Sequence, residues 1–188
     1  VIADYSNHKD SETVINELVS MHGFERSYVI EVLKNAQRRD EMLESVANPA
    51  EKTKTWDDYK AIFIKKKRII DGKNFIKKNI DVLQKAEDTY NVPKEVITAI
   101  LGIETNYGKN MGNFRVLDSL TTLGFDDPRR SKFFRSELIQ FFLLTRENNL
   151  DILKTKGSYA GAMGYSQFIS SSYRAYAIDF DDDGYVDL

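Results

Sequence analysis

The residue whose surroundings best suit it to move a proton is Glu104, in the run Gly102-Ile103-Glu104-Thr105-Asn106-Tyr107-Gly108. Ahead of it Val96, Ile97, Ala99, Ile100, Leu101 and Ile103 are apolar. Ile97, Ile100, Leu101 and Glu104 follow the i, i+3, i+4, i+7 spacing of one helical face. A carboxyl on that face is expected to lose part of its hydration, which penalises the charged form and raises the pKa. That is the condition a general acid needs near neutral pH. The plainer alternative is a glutamate in a last helical turn that reaches water past its neighbours.

A second set of acids closes the sequence. Asp179, Asp181, Asp183, Gly184 and Val186 fall at positions 1, 3, 5, 6 and 8 of an EF-hand loop. That spacing lets alternate carboxylates converge on calcium while the glycine permits the sharp bend. Position 12, where a bidentate acid belongs, lies beyond Leu188. Weak affinity, or simply a solvated acidic tail, is the competing reading for this stretch.

Composition narrows the chemistry further. The 188 residues contain no cysteine, which excludes a disulfide framework and thiol catalysis. His8 and His22 are the only histidines and both are N-terminal, which argues against a histidine triad or zinc site. With 29 acidic and 27 basic residues, net charge points to neither nucleic acid nor membrane. A hydrophobic share of 41% suits a folded soluble core, and no apolar run reaches membrane-spanning length. A leader or lipid anchor ahead of Val1 stays open.

The elements that must position Glu104 read as helices throughout. Ser11 caps a helix running to His22 with Gly23 as its stop. A second helix carries Val29, Val32, Leu33 and Ala36 on one stripe. The polar segment 38–54, broken by Asn48-Pro49, reads as an irregular connection. Thr55 caps the next helix, with Asp57 and Asp58 in its first turn and Trp56, Tyr59, Phe63 and Ile70 facing inward. Lys65-Lys66-Lys67-Arg68 reads as a solvated face. Asp71-Gly72 separates this from a helix with Ile76, Ile80, Leu83 and Ala86 in phase, and Pro93 opens the helix of Glu104. Further helices follow around Val116, Leu117, Leu120 and Leu123, then Phe134, Leu138, Phe141 and Leu144. The only candidate strand is the last few residues. From Gly157 to Phe168 the chain turns small and aromatic, which suits close backbone approach.

Three blocks together carry a specific resemblance: Gly102 to Gly108; Pro128-Arg129-Arg130-Ser131-Lys132-Phe133-Phe134; and Gly157-Ser158-Tyr159-Ala160-Gly161-Ala162-Met163-Gly164-Tyr165-Ser166-Gln167-Phe168 with Ser171-Ser172-Tyr173. In order and spacing the chain resembles the lytic murein transglycosylases of the membrane-bound B type. The resemblance implies a mainly α fold, with a helical domain over 1–90 and a lysozyme-like catalytic core over 91–188, apparently incomplete at its C-terminus and ending within the EF-hand-like loop. It implies non-hydrolytic cleavage of the MurNAc-β-1,4-GlcNAc bond in peptidoglycan, leaving 1,6-anhydro-MurNAc ends, with Glu104 as acid and then base. Ordinary glycosidases need two carboxylates; here the substrate's own hydroxyl and N-acetyl group stand in for the second.

By position, the same resemblance puts Ser158 and Gln167 against sugar hydroxyl or acetamido groups. Met163, Tyr107 and Phe168 become apolar wall, Tyr59 reaches in from the helical domain, and Arg129 and Arg130 meet the acidic peptide stem. For Met163, Tyr107, Phe168 and Tyr59, packing within the core competes with these roles. Phe133 stands where the family has tyrosine, and Ser170 where it has proline. No cofactor is implied for the chemistry; calcium at Asp179, Asp181 and Asp183 is implied for the intact protein. Glycan strands are the implied partner, with no nucleic acid, a membrane only through an upstream lipid anchor, and a monomer expected. The implied location is periplasmic or outer-membrane-anchored. Competing readings are a hydrolytic muramidase of goose-lysozyme type with Asp126 or Asp127 as second acid, a non-catalytic peptidoglycan-binding module, and a calcium-sensing helical module.

Overall fold

Helix-forming periodicity dominates the sequence, and the computed structural model, which describes residues 4–47 and 55–188, is built from helices. Among the described residues the packing falls into two units. One is drawn from Val1–Asn48, Gly112–Met163 and Phe168–Leu188, the other from Pro49–Met111 and Gly164–Gln167. This grouping does not follow chain order, so it crosses the boundary expected between residues 90 and 91.

In the first unit, a short 3-10 turn at Tyr5–Asn7 precedes α1 (Ser11–Ser20), α2 (Arg26–Lys34) and α3 (Asp40–Ala47). Val29, Val32, Leu33 and Ala36 are all buried, as their stripe predicts. Ser11 is the first helical residue of α1 and Asp10 its cap; the Ser11 hydroxyl instead donates back toward the carbonyl of His8 at 2.6 Å. Helix α3 corrects the reading of 38–47 as irregular. A single fully buried side chain, Met42, anchors it, too little periodicity to be seen from sequence. The remainder of that polar connection, 48–54, lies outside the described residues.

The centre of this unit is α8 (Val116–Asp126) packed on α9 (Ser131–Glu147). Val116, Leu117, Leu120, Leu123, Phe134, Leu138, Phe141 and Leu144 are buried there. Two strands of two residues each, β1 (Phe114–Arg115) and β2 (Lys156–Gly157), pair antiparallel with Phe114 opposite Gly157. They are too short for a period-2 pattern, and the expected terminal strand is not formed. Helix α10 (Ser170–Tyr176) is capped from outside itself: the buried carboxylate of Glu137, on α9, accepts the backbone N–H of Ser171 at 3.0 Å.

In the second unit, Thr55 and Asp58 form the reciprocal capping box of α4 (Trp56–Phe63). No residue of this helix is fully buried: of the expected inward face Tyr59 and Phe63 are half-buried, while Trp56, 71% exposed, and Ile70 face solvent. Helix α5 (Lys66–Lys78) runs straight through Asp71-Gly72, and the break to α6 (Ile80–Tyr90) falls at Asn79. Asn91, in the left-handed region, ends α6, and Pro93 caps α7 (Lys94–Thr105).

Candidate active site

Glu104 is the penultimate residue of α7, and its side chain is exposed. The stripe that α7 buries is Thr98, Gly102 and Thr105, small residues at i, i+4, i+7. Of the Ile97/Ile100/Leu101/Glu104 face, Ile97 and Leu101 are half-buried, whereas Ile100, 52% exposed, and Glu104 point to solvent. The expected desolvation of Glu104 is therefore not supplied by its helix. Periodicity identified which residues share a face, but the small-residue face is the one that approaches α5.

What the second unit does supply is a rigid mount for the end of α7. Three successive residues after Thr105 have positive φ, Asn106 (52°), Tyr107 (62°) and Gly108 (80°), turning the chain sharply back. The left-handed region is costly for residues with a Cβ, so tertiary contacts must hold it. Tyr107 donates its hydroxyl to the backbone carbonyl of Arg68 at 2.8 Å. Its side chain lies on Gly72 and Gly102: a Cβ would come within 2.7 Å of the hydroxyl oxygen at Gly72 and of the ring at Gly102. Burial pushes the Tyr107 phenol above its ordinary pKa, keeping it a donor. Arg68 in turn donates to the carbonyl of Gly102 at 3.1 Å, two residues before Glu104. Its guanidinium also lies 5.2 Å from the Phe63 ring centre. Asp71 bonds both Lys67 (2.9 Å) and Lys109 (3.0 Å), and these two partners hold its carboxyl below the usual range.

The segment Gly164–Gln167 completes this mount. The Tyr165 ring covers Gly108 so closely that a Cβ there would come within 2.3 Å of it, and Thr105 Oγ1 lies 3.3 Å from the Tyr165 carbonyl. Gln167, itself at φ 51°, donates its amide to the carbonyls of Met111 (3.2 Å) and Gly164 (3.0 Å). Its NH2 group is thus committed to the backbone, leaving the amide oxygen for a ligand. Tyr59 sits half-buried between Trp56 and Phe63, with ring centres 6.3 and 5.0 Å away. Beside α7 a hollow of about 280 Å³ is lined by Phe63, Arg68, Lys73, Ala99, Ile103 and Tyr107 among others.

The remaining expected residues belong to the first unit. Ser158 Oγ accepts the N–H groups of Ala160 (3.3 Å) and Ala162 (3.1 Å), closing a tight loop and leaving its O–H free to donate. Met163 is fully buried in the core and its N–H bonds the Phe168 carbonyl at 2.9 Å, so it packs instead of lining a cleft. Phe168 is half-buried, edge-on to Tyr173 at 5.6 Å. Arg129 and Arg130 are exposed ahead of α9. The buried Asp127 carboxylate accepts the Arg129 N–H at 2.9 Å, and Arg130 lies 4.4 Å over the ring of Phe133. Asp126 accepts the Tyr5 hydroxyl at 2.6 Å, and Asp127, though one of its oxygens has no hydrogen-bond partner, is buried away from solvent, so neither aspartate considered as a second acid is an exposed, free carboxylate.

Asp179, Asp181 and Asp183 do converge: one oxygen from each lies within 4.8 Å of the others. The Gly184 N–H, bonded to Asp179 at 2.7 Å, leads the interactions that hold that carboxyl below its usual range. Three hard oxygen donors at this spacing fit a calcium ion. Arg68, Gly72 and Tyr165 are the contributors that sequence reasoning missed. A glycine in the middle of an otherwise helical phase was the available signal.

Residues 6–188 match the family described as the transglycosylase SLT domain. The chain is 40% identical over 194 residues to the membrane-bound lytic murein transglycosylase B of Escherichia coli K12, covering 98% of this chain and 54% of that protein. It is similar to the soluble lytic transglycosylase SltB1 of Pseudomonas aeruginosa at 44% identity and a TM-score of 0.90, covering 94% of this chain and 59% of that one. It is likewise similar to the Escherichia coli lytic transglycosylase Slt35 in complex with calcium, at 40% identity and a TM-score of 0.92, covering 99% and 59%. The chain thus spans a little over half the length of these relatives. The order of blocks, the helical architecture and these likenesses agree: the chain belongs to the SLT-domain family of lytic transglycosylases.

Proposed function

We propose that the chain carries the acid–base centre of a peptidoglycan lytic transglycosylase, with Glu104 as its single catalytic carboxyl. The protonated Glu104 gives its proton to the oxygen of the MurNAc-β-1,4-GlcNAc bond as the C1–O bond breaks. The resulting carboxylate takes the proton of the muramic C6 hydroxyl, whose oxygen closes on C1 as the 1,6-anhydro ring. No water is consumed, the carboxyl returns to its starting state and no cofactor is required.

The observation that carries this reading is the mounting of Glu104: an exposed carboxyl on a chain reversal fixed by Tyr107, Arg68 and Gly102. An accessible acid on a rigid support suits a group that must meet a polymer. Because α7 leaves Glu104 exposed, the bound glycan is what excludes water from around it during the reaction. Ser158 through its O–H, Gln167 through its amide oxygen, and Tyr59 and Phe168 through their rings are the proposed sugar contacts. Arg129 and Arg130 are proposed for the peptide stem. Calcium is proposed at Asp179, Asp181 and Asp183, as a structural ion. The protein acts as a monomer outside the cytoplasmic membrane, where its substrate lies. The assignment is tested with Glu104→Gln on purified sacculi: fragment release falls by about 10²–10⁴-fold while binding persists, and unchanged release removes Glu104 from the role.

A further inference from the structure

The first unit carries a ring array that the reaction above does not use. Tyr28, on α2, is 42% exposed, and Phe24 stacks parallel to it at 6.2 Å and 8°. The guanidinium of Arg146 lies 4.1 Å from the centre of the Phe24 ring. Beneath, the fully buried Phe142 meets both rings edge-on, at 5.7 and 6.3 Å. Tyr28 is therefore held from below and from one side, with much of its surface open to solvent.

Two hollows, of about 280 and 550 Å³, share Tyr28 and Leu150 as walls. Their polar lining comes from Glu31, Asn35 and Asp151 in one, and from Glu25, Thr145 and Asn149 in the other. Arg146 is the one cation in either lining, and it already donates to the carbonyl of His22 at 2.7 Å. Asp151 is paired with Lys154 at 2.9 Å. This environment opposes an anion such as a phosphate or an acidic peptide. It offers an aromatic face beside carboxylate and amide acceptors, which matches a neutral ring with C–H faces and many hydroxyl donors. The larger hollow is itself in the range of small-ligand sites.

We propose that Tyr28 is the platform of a second glycan-binding site, built from none of the residues around Glu104, which takes a neutral pyranose of a β-1,4-linked strand. That this strand is peptidoglycan rests on the function proposed above; the stacking site itself does not.

The test uses the Glu104→Gln chain, ring-labelled at tyrosine, titrated by NMR with a soluble β-1,4-linked N-acetylglucosamine oligosaccharide. The Tyr28 ring signals move saturably, with a dissociation constant on the order of 1 mM for one stacked sugar. Tyr28→Phe keeps the affinity for sacculi, and Tyr28→Ala lowers it by about tenfold. Glu31→Gln, which leaves the ring stack in place, weakens the oligosaccharide at the same site and covers the case in which Tyr28→Ala fails to fold. Trp56, the single tryptophan, belongs to the second unit, and its fluorescence follows binding there separately. Tyr28 signals that stay fixed while the Trp56 signal saturates overturn the second site and leave the Glu104 assignment standing. Catalytic loss in Glu104→Gln that fails to appear does the reverse.

Discussion

Tyr107 donates its hydroxyl to the carbonyl of Arg68 across 2.8 Å, and its ring fills the space that side chains at Gly72 and Gly102 would occupy. One aromatic residue thus fastens the turn after Glu104 to α5. Alanine at Gly102 gains about 1 kcal/mol of helix propensity but meets this ring. Gly102→Ala is expected to destabilise the chain by about 1–3 kcal/mol through overpacking. In a Tyr107→Ala background the same substitution turns neutral or stabilising, and urea unfolding of the four proteins measures the sign change.

Removing only the hydroxyl separates the bond from the packing. Tyr107→Phe leaves the Arg68 carbonyl without that donor and is expected to cost about 1 kcal/mol. The readout is the urea midpoint at unchanged slope.

Asp71 gives a pH dependence. Its folded-state pKa is depressed by Lys67 and Lys109, so its contribution is present above the unfolded value near 3.8 and is lost as pH falls through the lower folded value. Asp71→Asn lowers stability at pH 7 and loses that deficit at the acid end. Unfolding midpoints of both proteins between about pH 2 and pH 7 follow the convergence.

Ser170 is the first residue of α10, its hydroxyl is buried without a partner, and Ile169 before it is extended at ψ 164°. All three features suit proline, which favours an extended predecessor and the first helical position. Ser170→Pro is expected to stabilise the chain by about 0.4–1 kcal/mol, read as a rise in melting temperature.

The converging acids of the terminal loop predict a response to calcium. At free calcium tenfold above the dissociation constant the chain gains about 1.4 kcal/mol, and a chelator removes the gain. Asp181→Asn abolishes the shift in a thermal melt, whereas a solvated tail would give no shift to abolish.

Much of the fold was legible because it depends on local signals. The capping of α4 by Thr55, the buried stripe of α2 and the opening of α7 at Pro93 each need only a few neighbouring residues. What failed depended on distant partners. Asp71-Gly72 resembles a helix stop unless one knows that Tyr107, 35 positions later, rests on that glycine. Gln167 resembles a free amide until Met111 is seen to accept from it. The outward turn of Glu104 follows from α7 presenting its small residues to α5, and no apolar count along the helix reveals that choice.

The proposed reaction needs one carboxyl and no hydrolytic water. Mass spectrometry of fragments released from sacculi tests it most directly. Muropeptides lighter than their hydrolytic counterparts by one water, with no reducing end, are expected, together with their loss in Glu104→Gln. Products carrying free reducing MurNAc ends would contradict it.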